Sequence, residues 1–245
     1  MSYFDVKESY ISDINSELIL VYKTIQKDYK KLIEELFYIK DQFYSSKDRK
    51  EFYLNIRKNF NESIPYFDYE KYSSDEYVTR SSWMIFMNKT CFNGLFRLNK
   101  KGEFNVPFGK YKNPKIFDQN NIKSCALALK DTKIICNSFL FSKNFINSNS
   151  LVYLDPPYRP ISSSSNFTSY SKFGFNDDDQ RDLANYYDDI TKIGAKAILS
   201  NSYCDDGFFD ELYGNFNINL VKAKRSINRD GKKRGNVKEI LVTNY

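Results

Sequence analysis

Residues 151–158 read Leu151-Val152-Tyr153-Leu154-Asp155-Pro156-Pro157-Tyr158. A short apolar run passes directly into a carboxylate, two prolines and an aromatic. Such a run, bounded by turn chemistry, suits a buried strand. The spacing therefore predicts Asp155 at the carboxyl end of a sheet strand, where ligands of open α/β sheets bind. The prolines fix φ and remove two N–H donors, which leaves carbonyls free to accept. A carboxylate beside a proline carbonyl can accept hydrogen bonds from both hydrogens of an exocyclic amino group. Drawing on those hydrogens pulls the nitrogen lone pair out of conjugation and aims it outward as a nucleophile. The Tyr158 ring supplies a face on which a planar base can stack. A tight strand-end turn with an incidental aromatic is the plainer alternative.

Outward from this stretch, further short apolar runs occur at Tyr10–Ile11, Lys133–Cys136, Ala195–Leu199, Ile218–Val221 and Ile240–Val242. The spacers between the middle runs are long enough for helices, which predicts an α/β domain with a mostly parallel sheet. Lys222 to Glu239, with its Asp230-Gly231 and Arg234-Gly235 pairs, is expected to be a long loop between two final antiparallel strands. Asn15 is placed to cap a helix carrying Leu18, Ile19, Tyr22, Ile25 and Tyr29 at helical spacing. From Lys30 to Gln119 the texture changes to Tyr, Phe, Lys and Asn, with strand alternation only at Glu103–Phe108. That stretch is read as a mainly helical insertion, residues 30–119, in a domain made of residues 1–29 and 120–245. Ser162–Ser165 opens a polar loop.

The 245 residues are 41% hydrophobic and 28% charged, enough to bury a core and too apolar for a disordered chain. There is no histidine, which excludes His-dependent triads and His-ligated zinc or iron. Cys91, Cys125, Cys136 and Cys204 show no CxxC spacing and are too sparse for a disulfide framework. No metal is expected, and a reducing cytoplasm is the expected compartment. No apolar run reaches the roughly 18 residues of a membrane span, and no signal-peptide core opens the sequence. The formal charge of +6 is uneven: residues 97–115 carry +5, residues 222–238 carry +7, and the remainder −6. Two basic segments on an acidic body suit a polyanion partner. They also suit two solvated lysine-rich loops, and charge alone leaves both open.

The chain resembles the GATC-type DNA adenine-N6 methyltransferases, the Dam family of the D12 class. The resemblance rests on Asp155-Pro-Pro-Tyr158, on Tyr10-Ile-Ser-Asp-Ile-Asn15 and on Tyr53-Leu-Asn-Ile-Arg-Lys-Asn-Phe-Asn61. It continues in Asn93-Gly-Leu-Phe-Arg97, Gly102-Glu-Phe-Asn-Val-Pro-Phe-Gly109, Asn166-Phe-Thr-Ser-Tyr170, Leu199-Ser-Asn201 and Arg225-Ser-Ile. It implies a Rossmann-like methyltransferase sheet with the insertion as target-recognition domain, S-adenosylmethionine as methyl donor and double-stranded DNA as partner. Localisation would be cytoplasmic, at a bacterial or phage nucleoid. Residue by residue, it implies that Asp155 and the Pro156 carbonyl bind the target amino group. Pro157 completes the turn, and Tyr158 stacks on an adenine extruded from the duplex. Asp13 would hold the ribose of S-adenosylmethionine, with Asp155 also near the donor. Phe92 and Asn93 would wedge into the DNA, with Phe92 standing where many relatives have Tyr. Arg97 would read guanine through O6 and N7, and Leu95 and Pro107 would face base edges. Lys110, Lys112 and Arg225 would contact phosphates.

One departure bears on activity. The family carries a Phe-x-Gly-x-Gly loop and a preceding helix upstream of the acid matched by Asp13, whereas here Met1 stands twelve residues before it and the first glycine is Gly94. The expectation is a sheet lacking its first strand, with a longer gene or a separate N-terminal polypeptide supplying the missing loop. The function expected is adenine-N6 methylation of duplex DNA at GATC, in a restriction-modification or housekeeping setting. The alternative is a truncated, inactive remnant that still binds DNA. A cytosine-N4 or RNA methyltransferase is a third reading, disfavoured by the acidic first position of the motif.

Overall fold

The computed structural model describes residues 6–160, 174–224 and 236–245. The chain divides into two compact units, residues 1–139 and 140–245.

In the first unit, β1 (Ser9–Asp13) and β2 (Thr132–Cys136) pair in parallel, from Ser9 opposite Thr132 to Asp13 opposite Cys136. A parallel pair needs a long crossover, and here it holds four helices: α1 (Ser16–Ser45), α2 (Arg49–Ser63), α3 (Ser74–Thr90) and α4 (Gln119–Leu129). Asn15 caps α1 as the sequence suggests, its Oδ1 accepting from the N–H groups of Glu17 and Leu18. The α1 helix runs through the expected boundary at residues 29 and 30, and its one interruption is at Asp28 (φ −133°, ψ 34°). Val21, Ile25, Leu32, Ile33 and Leu36 of α1 form one core with Ile122, Ala126 and Leu129 of α4. Further along, Ile39 and Phe43 join Tyr53 and Phe60 of α2, Phe86 and Met87 of α3, and Phe96, Phe104 and Val106 beyond it. No strand forms over Glu103–Phe108; the segment makes only the isolated bridges Leu98–Phe104 and Cys91–Phe108. Its alternation instead buries Phe104 and Val106 in that aromatic core.

Arg80 of α3 is 1% exposed, lodged between the Phe60 and Phe67 rings, 4.0 and 4.9 Å from their centroids. Its Nε donates to both carboxylate oxygens of Glu17 (3.1 and 3.0 Å), and Nη2 pairs with the same carboxylate. Nη1 donates to the Phe60 carbonyl (3.0 Å) and to Ser63 Oγ (2.6 Å). Every guanidinium nitrogen is thus satisfied, as burial of a charge requires.

In the second unit, β3 (Leu151–Leu154), β4 (Lys196–Ser202), β5 (Asn217–Lys224) and β6 (Asn236–Thr243) form a sheet in the order β3-β4-β6-β5. β3 and β4 are parallel, and β6 runs antiparallel to both of its neighbours. The strands of the final hairpin extend to Lys224 and begin again at Asn236, further than the expected loop of residues 222–239 allowed. α5 (Asp177–Lys192) follows β3, and α6 (Phe208–Tyr213) follows β4. α5 begins in a capping box, Asn176 and Asp179 each serving the other's backbone N–H. Its Leu183, Tyr187 and Ile190 are buried with Ala197, Leu199, Ile240 and Val242 of the sheet. Within the described residues, β1 and β3 each pair along one edge only.

Candidate active site and nucleic-acid interface

Strand β3 delivers Asp155 to its carboxyl end, as the sequence predicts. Asp155 is exposed, and its Oδ1 accepts a hydrogen bond from Ser200 Oγ on β4 (3.0 Å). Ser200 Oγ also lies 3.1 Å from the Tyr153 hydroxyl. Among the described residues nothing engages Asp155 Oδ2 or the Pro156 carbonyl, so two acceptors remain at the strand end. The Pro157 carbonyl, in contrast, accepts from Gln180 Nε2 of α5 (3.1 Å). Tyr158 is half-buried; burial pushes its phenol above the usual range, an effect the Ser200 hydroxyl partly offsets.

The next residue anchors the turn. Arg159 donates from Nε and Nη2 to the two oxygens of Asp177 (2.8 and 2.9 Å) and from Nη1 to Asp206 (2.5 Å). Its guanidinium lies 4.1 Å from the Phe208 ring centroid. The fork geometry matches a planar carboxylate. The pairing raises the Arg159 pKa, and the guanidinium holds the Asp177 and Asp206 carboxyls below the usual carboxylate range. The backbone of Arg159 is held too: its N–H donates to Asn201 Oδ1 (3.0 Å), and its carbonyl accepts from Ser202 Oγ. Sequence reading missed Arg159, Gln180 and the carboxylates of Asp177 and Asp206. The first residue of α5, Asp177, binds an arginine eighteen positions upstream, a pairing that no local pattern signals.

In the first unit, Asp13 is the last residue of β1, at the carboxyl end of a parallel strand. Its Oδ1 accepts from the Asn15 N–H (2.7 Å), the work of a strand-to-helix turn residue. Oδ2 is not engaged among the described residues, and a free carboxylate oxygen in that position suits a ribose hydroxyl.

The segment after α3 folds into a compact loop pair. Cys91 is fully buried, and burial pushes its thiol up to about 11. Phe92, 42% exposed, donates its N–H to the Pro107 carbonyl (2.8 Å), and Gly109 donates to the Thr90 carbonyl (2.8 Å). A Cβ on Gly109 would stand 2.5 Å from the Cys91 carbonyl oxygen, so only glycine lets the two segments approach this closely. Asn93 adopts a left-handed conformation (φ 57°), and its N–H donates to the Tyr111 hydroxyl (3.0 Å). Arg97 is exposed and held on one side: its Nε donates to Asn105 Oδ1 (2.7 Å). Pro107, Lys110 and Lys112 are exposed on the second loop, and Leu95 is half-buried on the first. The structure therefore brings Phe92, Asn93, Leu95, Arg97, Pro107, Lys110 and Lys112 onto two linked loops. Asn105 and Tyr111, which the sequence reading passed over, orient two of them. Arg225 lies outside the described residues.

A family described as D12 class N6 adenine-specific DNA methyltransferase matches residues 1–227. The chain is 49% identical to the type II methyltransferase M.MjaIII of Methanocaldococcus jannaschii, covering 99% of this chain and 82% of that protein. It is 37% identical to a DNA adenine methylase of Vibrio cholerae, over 97% of this chain and 80% of the relative. It is 36% identical to the type II methyltransferase M1.LlaDCHI of Lactococcus lactis, over 98% and 80%. Among the described residues, no helix is long and apolar enough to cross a membrane.

Proposed function

The chain belongs to the D12 class of N6 adenine-specific DNA methyltransferases, and from that premise we propose that it methylates adenine N6 within GATC in duplex DNA. The observation that carries this reading is the acceptor pair at the end of β3, Asp155 Oδ2 and the Pro156 carbonyl. Both hydrogens of an adenine amino group bonded there shift the nitrogen toward tetrahedral geometry and turn its lone pair out of the ring. Ser200, bonded to Oδ1, leaves Oδ2 as the oxygen for the substrate. The Tyr158 ring receives the extruded base, which inside a stacked duplex presents N6 poorly. The family implies S-adenosylmethionine as the methyl donor; when bound it supplies the electrophilic methyl group, with Asp13 Oδ2 as the contact for its ribose. Sequence is read from the linked loops, with Arg97 on guanine and Lys110 and Lys112 on phosphates. The type II names of two relatives favour a restriction-modification setting.

The single-edge pairing of β1 and β3 supports one addition. A row of unpaired backbone groups beside a sheet is costly unless another strand covers it. We infer that a segment outside residues 1–245, of the same or a separate polypeptide, supplies a parallel strand and a glycine-rich donor-binding loop. Residues 1–245 alone are then expected to bind S-adenosylmethionine weakly by calorimetry. Adding such a segment should tighten binding and raise Tm through ligand linkage. Tight binding by residues 1–245 alone overturns the addition. DNA binding without methyl transfer, even with the segment supplied, would make the chain a DNA-binding remnant.

Specificity is tested by comparing GATC and AATC duplexes at several salt concentrations. A bidentate arginine–guanine contact is worth ~1–3 kcal/mol of discrimination, and lysine lacks the planar fork. Arg97→Ala is expected to relax the preference for the first G and leave the salt dependence nearly unchanged. Lys110→Ala or Lys112→Ala should weaken both duplexes alike and reduce the salt slope by about one unit. Equal losses on both duplexes for Arg97→Ala would make it a backbone contact and remove the support for GATC.

A further inference from the structure

Tyr158 is flanked by two backbone groups that meet buried side-chain amides. The Pro157 carbonyl before it accepts from Gln180 Nε2 at 3.1 Å, and the Arg159 N–H after it donates to Asn201 Oδ1 at 3.0 Å. The amides bond to each other, Asn201 Nδ2 donating to Gln180 Oε1 at 3.1 Å. Asn201 Oδ1 also accepts the Ser202 N–H at 2.9 Å. Gln180 is 1% exposed and Asn201 0%. The order of donors leaves one orientation for each amide. The Arg159 N–H needs an oxygen, so Asn201 turns its nitrogen to Gln180; Gln180 then presents its oxygen to Asn201 and its nitrogen to Pro157. Flipping either amide sets donor against donor or acceptor against acceptor, which burial makes expensive.

Apolar side chains could fill the same space without these demands, yet the pair satisfies three backbone groups besides each other, two of them bracketing one aromatic residue. We propose that Gln180 and Asn201 are positioning residues for methyl transfer, clamping the backbone on both sides of Tyr158 so that its ring is set to receive the extruded adenine. The clamp has a second effect. By occupying the Pro157 carbonyl, Gln180 leaves the Pro156 carbonyl as the proline acceptor available to the second N6 hydrogen. This inference rests on reading Asp155–Tyr158 as the amino-acceptor motif. Neither amide touches the substrate; they act through the turn.

The test uses the full chain and two readouts. In the free protein, Gln180→Leu is expected to speed hydrogen exchange of the Arg159 amide by about tenfold or more, because Asn201 loses the partner that orients it. Amides in the β5–β6 ladder should be unaffected. On saturating DNA with 2-aminopurine at the target position, the extruded base stacked on Tyr158 is quenched. Gln180→Leu should move that fluorescence toward the Tyr158→Ala signal although Tyr158 is intact, with DNA affinity within roughly twofold of the parent because no phosphate contact is removed. A general loss of packing would not move the base signal at fixed occupancy. Should Gln180→Leu fail to fold, Gln180→Glu serves: a protonated carboxyl can donate to the Pro157 carbonyl and an ionised one cannot. Its aminopurine signal should then titrate with pH where the parent's is flat. Unchanged Arg159 exchange, an unchanged signal in Gln180→Leu, or a flat Gln180→Glu profile each overturns the clamp. A silent Tyr158→Ala brings down the motif reading itself and the proposal with it.

Discussion

Asp155→Ala is expected to lower methyl transfer ~10²–10³-fold, or about 3–4 kcal/mol of transition-state stabilisation, while leaving DNA affinity near that of the parent. The alanine removes the oxygen that draws on the N6 hydrogen as the lone pair turns out of the ring, an interaction stronger in the transition state than in the ground state. It removes no positive charge, so the phosphate contribution to DNA binding is untouched. Asp155→Asn keeps a carbonyl acceptor and should lose less. Single-turnover transfer of a labelled methyl group, measured on saturating DNA with the proposed donor-binding segment supplied, separates the chemical step from binding. Turnover near the parent value in Asp155→Ala would remove Asp155 from the chemistry.

Arg80→Ala should cost 3–5 kcal/mol of folding stability, the usual penalty for leaving one half of a buried ion pair unpaired. The substitution strands the Glu17 carboxylate, to which, among the described residues, Tyr69 is the remaining side-chain donor, and frees the Phe60 carbonyl and Ser63 hydroxyl that Arg80 satisfies. It also empties the slot between two aromatic rings. The double substitution Arg80→Met with Glu17→Leu is expected to recover most of the loss, since neither charge then remains to be desolvated. Urea denaturation compares the midpoints. A single variant no less stable than the double would show that the pair contributes little. Because Arg80 joins the start of α1 to α3, the helix that leads into Phe92 and Asn93, the single variant should also loosen the loop pair, readable as faster amide exchange at Asn93.

What the sequence made legible follows from what is local. The six apolar runs all became strands because a short run between turn residues carries its own signal. The Asn15 cap and the position of Asp155 at a strand end were readable for the same reason. The sheet was half readable: the antiparallel final pair was anticipated, but the place of β6 between β4 and β5 was not, since strand order depends on pairings that no short window contains. The candidate residues of the loops were found through resemblance, and the structure adds what orients them. Asn105 beside Arg97, Tyr111 beside Asn93 and Gln180 beside Pro157 are ordinary polar residues in sequence, and only the fold brings them to their partners. Glu17 and Arg80 are the extreme case. Sixty-three positions apart, they look like two solvated charges on two helices and prove to be the most deeply buried ion pair described.

The order β3-β4-β6-β5 has a consequence for biosynthesis. As the nascent chain leaves the ribosome, β5 appears before β6, yet among the described residues its ladder is to β6 alone, and β4 likewise keeps an open side until the same strand arrives. The sheet therefore closes late, from its interior, when residues 236–243 are released. A premature stop upstream of that strand would not trim a margin; it would split the sheet and leave the hydrophobic edges of β4 and β5 open to other chains.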